Sequence, residues 1–157
     1  MKKRLFSFFL CFVVILSIMG TTVCAAEPET VVSKTEITYF EDGSYLVTEI
    51  TEDTGGSMAR ITNSKSGTKT TSMYNAAKKL LFSLTVHGMF TYDGYSALAT
   101  NVTYSYTIDN SAWSFDSGSC SKSGPKVTAT ATFDYLSFIQ SRTLTVTLTC
   151  SPIGTLS

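Results

Sequence analysis

Apolar and polar residues alternate one by one along much of the second half of the chain. In segment 126–135, threonine or aspartate separates apolar residues at every second position, namely Val127, Ala129, Ala131, Phe133 and Tyr135. Segment 143–150 repeats the pattern with Leu144, Val146, Leu148 and Cys150. A period of two predicts β-strands with one buried face and one wet face. Threonine suits the wet face because its branched Cβ favours extended backbone while its hydroxyl group meets water.

The same period recurs earlier in the chain, in segments 82–92 and 102–108. The apolar stripes there are Phe82, Leu84, Val86, Gly88, Phe90 and Tyr92 in the first segment, and Val102, Tyr104, Tyr106 and Ile108 in the second. Turn-forming residues separate the stripes at 93–94, 109–110, 116–118 and 123–125. Short strands joined by such turns predict an all-β fold, an antiparallel β-sandwich of immunoglobulin-like architecture, with a small β-barrel as the alternative.

The start of the chain has the layout of a secretory signal. Three basic residues follow Met1, an apolar run extends over 5–19, and small residues precede two cleavage positions, after Ala25 or after Ala26. A lipid-modified Cys24 and an uncleaved membrane anchor fit less well, because the residues before Cys24 are atypical of a lipoprotein and the apolar run is short for a membrane span. We expect a secreted, extracellular protein without stable membrane insertion after cleavage.

The segment after the signal is organised differently from the second half. Segments 35–40 and 45–51 flank a tight-turn sequence at 41–44, which predicts a β-hairpin that needs the rest of the protein for its stability. Segment 52–68 is rich in Gly, Ser, Thr and Asn and has no period, which is typical of a flexible linker. We therefore divide the chain into a signal peptide at 1–25, an acidic N-terminal segment with the hairpin at 26–53, the linker at 54–68 and a β-sandwich domain at 69–157.

Charge is balanced overall but unevenly placed. The chain has twelve basic and twelve acidic residues. Segment 27–53 carries most of the acidic residues and a single basic one, Lys34, whereas basic residues outnumber acidic ones from residue 54 onward. The two regions could attract each other, but separate solvated surfaces are the simpler expectation. The absence of a strongly basic sequence argues against nucleic-acid binding.

Four cysteines are present, of which Cys11 and Cys24 lie in the signal region. The other two, Cys120 and Cys150, can pair in only one way, and cysteines of exported domains are usually paired. A disulfide that closes a loop of about 30 residues stabilises a fold by roughly 3–4 kcal/mol in the chain-entropy model. We therefore predict a structural disulfide between Cys120 and Cys150.

Several turn-and-strand patterns over nearly the whole mature chain carry a family resemblance. They are the stretches 39–45, 66–69, 88–94, 121–124 and 147–151, together with Trp113. In these patterns the chain resembles a group of short secreted proteins from Gram-positive bacteria that have no assigned biochemical function. The resemblance implies export and an all-β fold and implies no chemistry. Members of the group often carry a cysteine at the position of Ala99, placed to meet the final cysteine, which is Cys150 here.

Candidate catalytic and metal-binding groups are few. His87 is the only histidine, and it lies in a predicted strand on the face opposite the apolar stripe. No nucleophile-elbow sequence accompanies it. The neighbouring carboxylates Glu41/Asp42 and Glu52/Asp53 point apart in an extended chain and lie in turn or linker sequence, which does not suit glycoside hydrolysis. No zinc or calcium ligand spacing occurs. We predict no enzymatic activity, no catalytic residues, no metal site and no cofactor.

The aromatic residues are the best candidates for a ligand surface. Tyr92 and Tyr95 flank a turn, and Trp113 follows Asn110 and other polar residues. Because aromatic rings beside hydroxyl and amide groups are typical of sugar-binding surfaces, Tyr92, Tyr95 and Trp113 are candidate ligand contacts. The simpler expectation for a single tryptophan within a strand is a place in the core.

These observations predict a secreted, non-enzymatic β-sandwich protein that acts as an extracellular binding or structural module. Its partner would lie outside the cell or in the cell envelope and is not identified by the sequence. A small secreted effector, such as a toxin or bacteriocin-like protein, is the alternative function, and a glycan-binding domain is a further one.

Overall fold

The computed structural model describes residues 30–53, 63–136 and 139–157, and within these ranges the chain forms eight β-strands. The strands are β1 (Thr30–Tyr39), β2 (Tyr45–Asp53), β3 (Asn63–Tyr74), β4 (Leu80–Tyr92), β5 (Ala97–Ile108), β6 (Trp113–Ser123), β7 (Lys126–Tyr135) and β8 (Gln140–Thr149). The predicted signal peptide at 1–25 lies outside the described residues. None of the described residues belongs to a helix with the length and apolar character needed to cross a membrane.

The strands form two antiparallel sheets. Strands β1 to β5 form a five-stranded sheet in their chain order, and β6 to β8 form a three-stranded sheet in theirs. The prediction of an all-β, antiparallel fold is confirmed. The immunoglobulin-like part is not confirmed, because every hydrogen-bonded neighbour here is also a neighbour in sequence, whereas immunoglobulin domains use Greek-key connections. The alternative of a closed barrel is wrong, because no pairing of the described strands joins the two sheets.

One apolar core lies between the two sheets, which contact each other through β3, β4 and β5 on one side and all three strands on the other. The predicted stripes of β4, β7 and β8 supply its most deeply buried side chains, namely Phe82, Leu84, Val86, Phe90, Val127, Phe133, Val146, Leu148 and Cys150. The stripe of β5 is less buried, and Tyr106 is 42% exposed, because β5 is an edge strand. The period-two interpretation therefore identifies most of the core, but it overestimates the burial of β5 and omits Ile50, Met73 and Leu81.

Threonine hydroxyls pair across strands on the outer face of the three-stranded sheet. Their oxygens lie 3.0–3.2 Å apart in the pairs Thr128–Thr147, Thr130–Thr145 and Thr132–Thr143. Such cross-strand pairs contribute to sheet stability and help to fix the register. Asp134 departs from the expected wet face, since it is only 3% exposed and accepts a hydrogen bond from the Ser141 hydroxyl group.

The predicted N-terminal hairpin is confirmed. Strand β1 pairs with β2 so that Tyr39 lies opposite Tyr45, and Gly43 in the intervening turn has a φ of 78° that favours glycine. Strand β2 pairs in turn with β3. The hairpin is therefore part of the five-stranded sheet, which gives it the stability that an isolated hairpin lacks.

The predicted linker at 54–68 ends earlier than expected, because β3 begins at Asn63. Residues 54–62 lie outside the described ranges. The inward positions of β3 carry Lys65, Gly67 and Lys69 in place of an apolar stripe, so the sequence shows no alternation there. Gly67 is required by close packing, because a Cβ atom at this position would lie 2.7 Å from the carbonyl oxygen of Thr51.

Segment 116–118, predicted as a turn, lies inside β6. The register between β6 and β7 shifts between Phe115 and Ser117, which identifies a β-bulge at Asp116. Bulges and turns are both rich in polar and small residues. The residues at 116–118 therefore indicate a break in strand pairing correctly, but the prediction that the chain reverses there is wrong.

Candidate functional site

An open pocket of about 370 Å³ lies at one end of the two sheets, where the connections β1–β2, β3–β4, β5–β6 and β7–β8 meet. The antiparallel register explains this convergence, because every second connection of a meander returns to the same end of the sheet. We call it the turn-end pocket, and it is lined by Asp42, Ser44, Met73, Asn75, Ala76, Leu81, Asn110, Trp113, Tyr135, Gln140 and Arg142.

The floor of the turn-end pocket is aromatic and apolar. Trp113 is 8% exposed, and its ring centroid lies 5.3 Å from that of Tyr135 and 4.7 Å from that of Phe82. Trp113 and Tyr135 are cross-strand partners at the ends of β6 and β7, so the register itself places the two rings together. Met73 and Leu81 complete the floor.

Three amide side chains stand on the rim. The side-chain oxygen of Asn75 accepts a hydrogen bond from the Lys79 backbone N–H, and that of Asn110 accepts one from Ala112 N–H, each at 2.9 Å. Because the oxygens are used in the turns, the amide NH₂ groups remain available as donors at the rim of the pocket. Gln140 begins β8 and is exposed, and no described residue forms a hydrogen bond with its side chain.

The two charged rim residues neutralise each other. Arg142 Nη2 lies 3.6 Å from Asp42 Oδ2, and the guanidinium carbon lies 5.8 Å from the centroid of the Phe40 ring. Hydrogen bonds from the Ser44 hydroxyl and the Ser44 backbone N–H lower the pKa of Asp42, and the nearby arginine lowers it further. The pocket therefore presents amide donors and an aromatic floor without a net charge.

We expect Asp42→Asn to reduce stability near neutral pH and to have no effect in strong acid. Because the pKa of Asp42 is lowered in the folded protein, its contribution is present above the ordinary carboxyl pKa and is lost as the pH falls through the folded value. Urea unfolding midpoints of both proteins at about pH 7 and about pH 2 measure this. An equal difference at both pH values would instead identify a packing effect of the amide.

The three aromatic candidates from the sequence do not form one surface. Trp113 lies in the turn-end pocket, and it also belongs to the core, as the simpler expectation had it. Tyr92 ends β4 at the opposite end of the sheet, where its ring packs against Gly154. Tyr95 lies in the adjacent β4–β5 turn and is 94% exposed. The three residues were grouped only because they are aromatic, and the fold places Trp113 at one end of the sheets and the two tyrosines at the other.

The sequence interpretation missed the roles of Tyr135 and Arg142 in this pocket. Tyr135 was visible only as the last residue of an apolar stripe, although a β6–β7 hairpin around Gly124 would have placed it beside Trp113. In the sequence, Arg142 is only one of several basic residues after residue 54, and nothing assigns it to a site. Its position at the pocket depends on the way β8 faces the β1–β2 turn, and no local pattern encodes that contact.

The predicted disulfide is wrong, because Cys120 and Cys150 are both free thiols. Cys120 lies opposite Ala129, and Ala129 lies opposite Val146, four residues before Cys150. Two strand spacings and four extended residues correspond to roughly 16 Å, whereas disulfide-bonded Cα atoms lie within about 7 Å. Burial raises the pKa of the Cys150 thiol, which keeps it protonated.

His87 lies on the outer face of β4, as predicted, and contacts a carboxylate. Its Nε2 atom lies 3.6 Å from Asp53 Oδ2, and the Ser66 hydroxyl donates to the same oxygen at 2.8 Å. The carboxylate thus lies between serine and histidine, whereas a catalytic triad requires the histidine in the middle. No group of three or more metal-ligating side chains occurs within the described ranges.

Polar side-chain contacts join the acidic N-terminal segment to the rest of the protein. Glu52 forms an ion pair with Lys65, Asp42 forms one with Arg142, and the Asp53 carboxylate lies beside the His87 ring. The simpler expectation of separate solvated surfaces is therefore wrong for these groups. All three contacts are partly exposed, so each contributes little to stability.

Comparisons with protein-family models, with curated proteins and with solved structures find no match to this chain.

Proposed function

We propose that this protein is a secreted, non-enzymatic β-sandwich module that binds an uncharged sugar unit in the turn-end pocket. The observation that carries the proposal is the combination of an aromatic floor, formed by Trp113 and Tyr135, with amide side chains around the rim. A volume of about 370 Å³ lies within the usual range for small-ligand sites, about 300–1,000 Å³.

The chemistry of a sugar ring fits this lining. A pyranose has an apolar face of C–H groups that packs on aromatic rings, and hydroxyl edges that accept hydrogen bonds from amide NH₂ groups. Asn75, Asn110 and Gln140 offer such donors. Asp42 and Arg142 satisfy each other, so an ionic ligand would have to break their pair. A neutral saccharide is therefore favoured over a charged one.

The extracellular setting rests on the predicted signal peptide at 1–25, and the relation to short secreted Gram-positive proteins rests on the sequence patterns. The term sandwich refers to two antiparallel sheets around one core, and the likeness to immunoglobulin domains extends to this layering alone. The alternative of a small secreted effector is supported only by the size of the chain and its predicted export, and no feature of the pocket favours it. The intact mass of the exported protein distinguishes cleavage after Ala25 from cleavage after Ala26.

A glycan array probed with the purified exported protein tests the proposal. We expect retention on neutral glycans, and we expect Gln140→Ala to raise the Kd for a retained glycan by roughly 2–10-fold, the effect of one lost hydrogen bond. Tyr95→Ala is the matched control, because Tyr95 is an exposed aromatic residue at the opposite end, and its Kd should not change. Retention on no glycan, or equal weakening by both substitutions, would exclude the turn-end pocket as a sugar site.

A further inference from the structure

Two sheets have four edge strands, and unprotected edges are places where another strand can add. The edges here are β1 and β5 in the five-stranded sheet and β6 and β8 in the three-stranded sheet. Natural proteins protect such edges with bulges, charged side chains or a covering segment. The four edges differ in how far they are protected.

Three of the four edges carry such protection. Strand β1 has a bulge between Val32 and Lys34 and carries charged side chains. Strands β5 and β6 cover each other, since the backbone N–H of Ala99 donates to the carbonyl of Gly124 at 2.7 Å and the Lys122 ammonium donates to the carbonyl of Thr100. Register shifts also interrupt the pairing of both strands with their inner neighbours.

Strand β8 lacks these devices over most of its length. It pairs with β7 without a register shift and contains no proline, and its single charged residue is Arg142 near the start of the strand, which is paired with Asp42. The backbone N–H and C=O groups of its even-numbered residues point toward β7. Cys150, the even-numbered residue just after the strand, shows this orientation, because its N–H donates to the Pro125 carbonyl. Those of the odd-numbered residues point to the open edge, and no described residue provides a backbone partner for Ser141, Thr143, Thr145 or Thr147.

The last described residues show that an extended segment fits this edge. Thr149 and Ser157 exchange two backbone hydrogen bonds of 2.9 and 3.0 Å, in an antiparallel pairing that also brings Leu156 opposite Cys150. The Leu156 side chain is buried and packs on Gly67 of β3. A strand beside β8 therefore bonds to its edge and buries an inward apolar side chain against the opposite sheet.

Space for a longer strand continues along the same edge. The backbone of β8 lies close to β3 and β4, whereas no Cα atom of β1 or β2 comes within 8 Å of a Cα atom of the three-stranded sheet. The five-stranded sheet thus extends two strands past β8. The inward positions of β2 beside this edge include Leu46 and Thr48, both half-buried. A segment that pairs with residues 141–147 would lie over them.

We propose that the edge of β8 at residues 141–147 binds an extended segment of a partner polypeptide by strand addition. The segment adds a fourth strand to the three-stranded sheet and carries small apolar or β-branched, uncharged side chains at the alternate positions that face β2. Backbone hydrogen bonds supply the affinity, and the inward side chains supply the selectivity.

A second copy of the chain fits this edge less well. Antiparallel pairing of two β8 edges about a two-fold axis places both five-stranded sheets on the same side of the joined sheet. Because each five-stranded sheet extends two strands past β8, the β1–β2 hairpin of one copy would then occupy the space of β3 and β4 of the other. An isolated extended segment meets no such obstacle.

A synthetic peptide with the sequence of Lys126–Thr132 is a suitable probe, because its alternate residues Val127, Ala129 and Ala131 are small apolar or β-branched and because β7 already pairs in register with the other edge of β8. Amide hydrogen exchange of the exported protein gives the readout. In the free protein we expect the odd-numbered amides at 141–147 to exchange much faster than the even-numbered ones. The peptide should slow exchange at the odd-numbered positions, and a scrambled peptide of equal composition should not.

The substitutions Thr145→Pro and Thr145→Ala form a matched pair. Proline removes the outward N–H of residue 145 and should raise the peptide Kd about tenfold, whereas alanine keeps the N–H and should leave the Kd within about twofold. Equal unfolding midpoints establish that both variants fold. If Thr145→Pro does not fold, peptides N-methylated on alternate amides replace it, and only the series methylated toward β8 should lose binding.

Four results would overturn the proposal. The first is no peptide binding at about 1 mM, the weak end of specific recognition. The second is binding that leaves the odd-numbered amides unprotected. The third is protection of these amides in the free monomer, which would mean that another part of the chain covers the edge. The fourth is protection that rises with protein concentration alone, which would identify a second copy as the occupant.

Discussion

Replacing Phe82 by alanine is expected to lower the free energy of unfolding by about 3–5 kcal/mol. Phe82 is completely buried, and its ring centroid lies 4.2 Å from that of Phe133 and 4.7 Å from that of Trp113. The ring thus joins the five-stranded sheet to both strands of the β6–β7 hairpin. Its removal takes away apolar burial and leaves a cavity that the surrounding aromatic rings cannot fill.

Urea unfolding at neutral pH measures this loss, with Tyr95→Ala as the control because Tyr95 is almost fully exposed. The control should change the unfolding free energy by less than about 0.5 kcal/mol. Single domains have total stabilities of about 5–15 kcal/mol, so Phe82→Ala should remove a large part of the free energy of unfolding. A loss below about 1 kcal/mol would show that the two sheets do not pack through this ring.

Most of the core follows directly from the alternation of residue types. The stripes of β4, β7 and β8 are buried as predicted, because a strand covered on one face can keep water from its apolar side chains only with a period of two. The Glu41–Ser44 turn is similarly local, since Gly43 meets its conformational requirement and Asp42 accepts hydrogen bonds from Ser44. Local chemistry decides these features, so the sequence is sufficient for them.

Strand β3 was not predictable in the same way. It lies between β2 and β4, yet lysines and a glycine occupy inward positions that an apolar stripe would normally fill. Lys69 is half-buried, and this burial lowers the pKa of its ammonium group. The strand is held by pairing on both edges, and the partners that provide this pairing are remote in sequence. A window of a few residues therefore cannot reveal it.

The candidate site is likewise only partly predictable from the sequence. Trp113 and Asn110 were visible in the sequence, but Tyr135, Gln140 and Arg142 reach the turn-end pocket only through the meander that returns β7 and β8 to that end. The disulfide prediction failed for a related reason. Counting cysteines establishes that one pairing exists, whereas the register of β6, β7 and β8 decides that the two thiols cannot meet.

The pocket and the β8 edge are adjacent but separable. Gln140 contributes its side chain to the pocket, and Thr145 contributes its backbone to the edge. We therefore expect Gln140→Ala to weaken sugar binding without affecting the peptide, and Thr145→Pro to do the reverse. One site can thus fail its test while the other passes.

The substitution Ala99→Cys, made together with Cys120→Ser, is expected to create a disulfide with Cys150. The backbone nitrogens of Ala99 and Cys150 donate to the carbonyls of consecutive residues, Gly124 and Pro125, at 2.7 and 2.9 Å. Both side chains are buried between the two sheets, at 5% and 1% exposure. The bridge would close a loop of about 50 residues, which corresponds to a stabilisation of roughly 4 kcal/mol in the chain-entropy model.

Loss of two hydrogens in the intact mass reports formation of the bridge, and thermal unfolding with and without reductant reports its effect. The oxidised protein should unfold at a clearly higher temperature than the same protein after reduction, because the bridge restricts the unfolded chain. Cys120→Ser alone, in the protein that begins at Ala26 as the predicted cleavage after Ala25 would leave it, is the control and should show no dependence on reductant, since it leaves Cys150 without a second thiol. A variant that stays reduced under oxidising conditions would mean that the two buried positions face different parts of the core.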